Sequence, residues 1–167
     1  MNHSATAQMV REELQRIEED CTHTGKSHFE AAARWGSYHY WLGVPAMIIG
    51  GAAGAAFFQK YPNIAGGMAL IAAGLTSLQT LLRPADKAAE HKTAGDGFLA
   101  LKNDARVYRT VRLLDAPDDD SVSALDELNQ RRNELNRTSP QFWRMDRKKA
   151  LNSISSGEAN YGVDRGE

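Results

Sequence analysis

The sequence predicts an all-α protein: a two-transmembrane helical hairpin extended into a cytoplasmic helical bundle. Three observations carry that expectation. Residues 41–82 hold one charged side chain, Lys60, in a chain that is 25% charged overall. That block is divided by a turn sequence, QKYPN, at residues 59–63. The polar flanks repeat their apolar residues at alternating three- and four-residue steps, the period of a helix packed against another. A negative mean hydropathy and a net charge of −1 suit a water-soluble protein, but these averages mix unlike segments. Residues 1–34 carry ten charged side chains, four basic and six acidic, and residues 83–167 carry thirty, fifteen of each sign.

The hairpin follows from the turn. Pro62 removes a backbone donor and disfavours helix at Tyr61, and Asn63 suits a turn or an N-cap. Residues 41–58 form an uncharged run of eighteen and residues 64–82 one of nineteen. At a rise of ~1.5 Å per residue each run makes a helix of about 27–29 Å, close to the ~30 Å hydrocarbon core of a bilayer. Alanine and glycine dominate both runs without period-two alternation, which does not suit strands. A hairpin buried in a soluble core is the competing reading. The rest of the chain is too polar to cover two such helices on all sides.

Topology follows from the placement of Lys and Arg. The tip has only Lys60, whereas Lys26, Arg34, Arg83, Lys87, Lys92 and Lys102 flank the other ends. Both termini are therefore expected in the cytoplasm, with the tip outside. Residues 1–34 are acid-rich with no apolar stretch, so no cleavable leader is expected. The single Cys21 permits no intramolecular disulfide and sits on the reducing side.

Both spans are rich in small residues, the usual means by which helices approach in lipid. Gly50 and Gly54 stand at GxxxG spacing, and Ala65, Ala69 and Ala73 repeat every four residues. These five are the helix-packing candidates, within the hairpin or between subunits. On the second span, Thr76, Gln79, Thr80 and Arg83 add a polar inner half to a stripe of small residues. A lipid-facing Gln79 would be costly, so the stripe faces protein or water. Facing protein, it is a packing face; facing water in several copies around an axis, it lines a pore. Two helices cannot enclose a channel, so a pore requires a homo-oligomer.

On the N-terminal flank the heptad seam runs through Val10, Leu14, Ile17, Cys21, Thr24, His28, Ala31, Trp35, Tyr38 and Leu42, straight into the first span. After the second span His91, Ala94, Phe98, Leu101, Ala105 and Tyr108 keep the spacing. The seams weaken at Thr24, His28 and Ala94, which calls for a further helix or subunit to complete the burial. The C-terminal helix of this leg should end near Asp115. DAPDDDS then forms a turn, Ser123 and Asp126 start a helix carrying Leu125, Leu128 and Leu135, and Ser139-Pro140 ends it. QFWRMDRKKAL, at residues 141–151, either touches anionic headgroups or docks on the bundle through its aromatics; docking is the favoured reading. A disordered tail is expected over 155–167.

Little chemistry is signalled. Gly25-Lys26-Ser27 matches the end of a P-loop, but Asp20 stands where the motif needs glycine and the triplet lies in a heptad helix. Cys21 and His23 are two apart, which splays them on a helix, and no second ligand pair follows. With the turn near Tyr61, His28 and His91 fall at similar depth on opposite legs. They are gating candidates, a protonation-sensitive lock, or else simple packing histidines. No metal, no cofactor, no nucleic-acid partner and no enzymatic activity is expected. Transport would want charges at mid-membrane, and neither span has one.

The hairpin with its Pro-containing tip, TSLQTLLRPADKAAEHKTAGDGFLALKNDAR at residues 76–106, and LDELNQRRNELNRTSP at 125–140 resemble the SLATT domains, two-transmembrane effector modules of bacterial conflict systems. The resemblance covers roughly residues 14–140. It implies an oligomeric pore-forming effector that permeabilises the bacterial inner membrane in anti-phage defence. It also implies a trigger from a nucleotide second messenger or a separate sensor protein, since no sensor domain is fused here. The alternative is a non-conducting oligomeric scaffold that anchors a soluble signalling partner. The expected organisation is a cytoplasmic helix over 1–34, a hairpin over 35–84 and a cytoplasmic helical region over 85–154.

Overall fold

The computed structural model describes residues 3–54, 60–114 and 118–157. Every regular element among these residues is helical, with no strand. Helix α1 spans His3–Ala53, α2 Pro62–Leu82 and α3 Pro84–Val107; a π-helical turn follows at Tyr108–Arg112, then α4 at Asp118–Thr138 and α5 at Arg144–Ser155. The chain divides into two compact units, residues 1–31 with 90–167, and residues 32–89. Helix α1 supplies residues to both.

The first unit has a closed apolar core. Val10, Leu14, Ile17 and Cys21 of α1 pack with Phe98, Leu101 and Ala105 of α3, and Leu113 and Leu128 complete the cluster. These are the positions of the two heptad seams. Helices approach closely at Gly95 and Gly97, where a Cβ would stand 2.9 Å from the Phe29 ring and 2.9 Å from Leu135 of α4. Where the seams weaken, the chain supplies its own cover: Leu125 and Leu135 of α4 lie against the core, and Phe142 lies against His28.

Helix α4 begins at Asp118, earlier than the Ser123 start that the sequence suggests. Asp118, Asp119 and Asp120 form its first turn instead of preceding it, where their charges oppose the helix dipole favourably. It ends before Pro140, as Ser139-Pro140 requires. The residues expected to form a disordered tail are helical to Ser155 and turn at Ser156 and Gly157; residues 158–167 lie outside the described residues, as does the predicted turn at Asp115, Ala116 and Pro117.

In the second unit the later part of α1 runs antiparallel to α2. Gly43 faces Gln79 and Gly50 faces Ala72, while the Lys87 ammonium lies over the Trp35 ring. Each of these pairs is symmetric about residue 61, the position before Pro62, so the register holds along the whole contact. Pro62 begins α2, where a missing N–H costs nothing. Arg83 closes it in the left-handed region, φ 47°, and its N–H donates to the Gln79 carbonyl. Pro84 then starts α3. Helix α1 passes through Pro45, which leaves the Trp41 carbonyl without its helical donor. Among the described residues one segment, between Pro62 and Arg112, is long and apolar enough to cross a membrane, and α2 is exposed along almost all of its surface. The first predicted span is helical as far as Ala53; residues 55–58 lie outside the described residues.

Candidate functional site

The outward face of α2 is the first candidate. Ala73, Thr76, Ser77, Thr80 and Leu81 line a shallow open trough. The Thr76 hydroxyl donates to the Ala72 carbonyl at 2.9 Å, and the Thr80 hydroxyl donates to the Thr76 carbonyl at 2.9 Å. Both protons are thus held on the helix itself, and the oxygen lone pairs face out. Arg83, at the end of the trough, is exposed and paired to Asp86 at 2.7 Å.

Gln79 behaves differently from the other members of its predicted stripe. Its side chain turns towards α1, with Nε2 at 3.1 Å from His39 Nδ1. It also packs over Gly43, where a Cβ would come within 3.1 Å of Nε2. The glycine is what admits the amide between the helices. Among the packing candidates, Gly50 faces Ala72 across the unit, Ala65 is half-buried, and Ala69 and Ala73 are exposed. Gly54 is a turn residue past the end of α1, near no atom of α2. The residues that bring the helices together are Gly43, Ala46 and Ala72, the latter two buried. Sequence reasoning missed Gly43 and His39; a glycine facing a lone amide across a hairpin centred on residue 61 was the available signal.

The second candidate is a buried histidine pair in the first unit. His28 Nδ1 and His91 Nδ1 stand 3.0 Å apart. One ring must donate and the other accept, so the pair can hold one additional proton but not two. Phe98 stacks on His28 at 5.6 Å between ring centres, and Phe142 meets it edge-on at 5.0 Å. Burial, reinforced by the neighbouring His91, pushes the His28 imidazole down to about 4. The Phe98 and Phe142 rings form the walls around His28. Elsewhere in this unit Glu18 accepts two hydrogen bonds from the Arg109 guanidinium, at 2.6 and 3.1 Å, in a partly buried bidentate pair. The Cys21 thiol is buried in the same core, and that burial raises it to about 11, so it stays protonated and unreactive.

The P-loop-like triplet is helical and occupied. Gly25 packs on Phe98, the Ser27 hydroxyl donates to the His23 carbonyl, and Lys26 reaches Ser153 of α5 at 2.9 Å. Among the described residues no group of three or more His, Cys, Asp and Glu side chains converges. No family model matches the chain, and neither a curated protein nor a solved structure does.

Proposed function

We propose that this chain is a two-span membrane protein that assembles as a homo-oligomer and permeabilises the bacterial inner membrane in anti-phage defence, as its resemblance to SLATT domains implies. The observation that carries the reading is α2: twenty-one residues without a charge, exposed along almost their whole surface, with a hydroxyl-lined trough on one face. Water is a poor solvent for that surface, and lipid serves its apolar residues but not an arginine at the trough's end. Several copies arranged around an axis would give Thr76, Thr80 and Arg83 an aqueous lumen while Ala69 and Ala73 meet neighbouring copies. Both termini lie in the cytoplasm in this reading, and the Lys60 tip lies outside. Repacking around His28 and His91 is the candidate gate, biased by a nucleotide second messenger or a sensor protein.

The scaffold reading has its own support. Gln79 is committed to His39, and both threonine protons are satisfied without water, as a packing face would require. Leakage from liposomes reconstituted with purified protein separates the two. In the pore reading, Thr76→Leu with Thr80→Leu abolishes dye and ion leakage and leaves the oligomer intact by crosslinking. Gln79→Leu, which strikes the contact between helices, changes assembly instead. Tight liposomes for the correctly inserted wild type, with and without candidate nucleotides, would overturn the pore and leave the scaffold.

A further inference from the structure

We propose that the outer face of α5 is a docking surface for an anionic lipid bilayer. Helix α5 has two unlike faces. Its inner face carries Asp146 and Ala150, both buried, and Ser153, which accepts a hydrogen bond from Lys26 of α1. Phe142, just before the helix, fixes the same side against His28. The helix is therefore held in the first unit without using its outer face.

Every charge on that outer face is positive. Arg144, Arg147, Lys148 and Lys149 are all exposed, and among the described residues none of the four is in an ion pair. This contrasts with Arg16, Arg83, Lys92, Arg131 and Arg137, exposed or half-exposed cations that each stand against a carboxylate within 2.9 Å. The only acid of α5, Asp146, is turned inward and accepts from the Trp143 backbone N–H at 2.9 Å. At about 100° per residue, Arg144, Lys148 and Leu151 fall on one line opposite Asp146 and Ala150.

Apolar side chains stand among these charges. Trp143 is 52% exposed, Met145 60% and Leu151 43%. A surface built only for phosphate in water has no use for exposed methionine and leucine. At a bilayer surface the cations reach headgroup phosphates while the indole and the two aliphatic chains enter the acyl boundary. That combination favours a membrane over a nucleic acid, which offers phosphates without an apolar layer. The inference rests on the membrane residence proposed above and not on permeabilisation.

The test uses the full chain with Trp35→Phe and Trp41→Phe, which leaves Trp143 as the only tryptophan of the three. The protein is reconstituted into phosphatidylcholine vesicles with and without phosphatidylglycerol, with brominated acyl chains as quencher. Trp143 is expected to be quenched in the anionic vesicles and not in the zwitterionic ones, and to be released by high salt. Lys148→Gln is expected to lower the ratio of docked to undocked helix about 5-fold, the effect of one surface cation, and Lys148→Arg to restore it. Equal quenching in both lipids, quenching in neither, or protection of Trp143 only when RNA is added would overturn the proposal. If the chain does not insert, flotation with the same two vesicle types still reports α5, so a failed pore and a failed docking surface give different results.

Discussion

The two units are built from the same kind of helix and treat their apolar residues in opposite ways. In the first, Leu14 is fully buried and Phe98 is 1% exposed. In the second, Leu70 is 76% exposed and Leu81 78%. The difference lies in how many helices share the burial. Around the first core, α1 and α3 are joined by α4 and the segment leading into α5, so each apolar stripe has a partner. In the second unit, α1 and α2 pack mainly on each other among the described residues, and small residues at the contact let them approach without covering their outer surfaces. A pair of helices exposes most of its circumference, and its apolar residues are left on the outside. In the reading proposed above, a bilayer is what meets them.

Substitutions in the two units should break apart along this line. Leu14→Ala or Phe98→Ala removes fully buried volume and is expected to cost about 3–5 kcal/mol in denaturant unfolding. Leu70→Ala removes a side chain with little protein around it, and in detergent the same measurement should stay within about 0.5 kcal/mol of wild type. A comparable loss at both sites would mean that α2 is packed in the folded chain as a core helix is.

Acid should loosen the first unit. Unfolded His28 takes up its proton near pH 6.5, whereas the folded residue resists until about pH 4. Because the folded value is depressed, the unfolded state binds more protons between those limits. The stability held by the neutral ring is complete above about pH 6.5 and is lost as pH falls towards 4, to an extent on the order of 2–3 kcal/mol. Thermal melts followed from pH 7 to pH 4 should show this slope, and His28→Asn should flatten it. An unchanged slope in that variant would assign the acid sensitivity elsewhere.

The smallest expected effect tests the second unit alone. Gly43→Ala places a methyl group 3.1 Å from the Gln79 amide, so the side chain must shift and its contact with His39 stretches. A loss of about 1 kcal/mol is expected, with a changed His39 imidazole signal by NMR. Gly36→Ala, which meets nothing within 4 Å, is the matched control. Equal effects at the two glycines would show that helix propensity, and not close approach, explains the result.

Much of this arrangement was legible before any coordinates. The seam residues from Val10 to Ala31 and from His91 to Ala105 are helical and largely buried, whereas the seam members Trp35, Leu42 and Tyr108 are half-buried and Tyr38 is exposed; a heptad spacing gives the face of a helix and not how many neighbours cover it. That His28 and His91 lie at similar depth on opposite legs followed from a turn near Tyr61; that their rings meet is shown by the structure. The limits were equally physical. The start of α4 went astray because three consecutive acids serve a turn and a helix N-terminus alike. Periodicity placed Gln79 on a stripe that faces protein or water and did not choose between them; the contact with His39 shows its side chain turned to the neighbouring helix.

What the sequence by itself determined is the partition of the chain: charge-free helices in one block, heptad helices on either side, and a turn at Pro62 that pairs them. Those features are local, written in spacing, charge and the conformational limits of proline. What only the tertiary structure decided is which polar groups are used up. Gln79 is held by His39 through the opening at Gly43, His28 is walled by Phe98 and Phe142, and Asp146 is drawn inward so that the charges on the surface of α5 are all positive. Each depends on which residue stands opposite across a gap of a few ångströms, and that is set by packing between segments far apart in the chain.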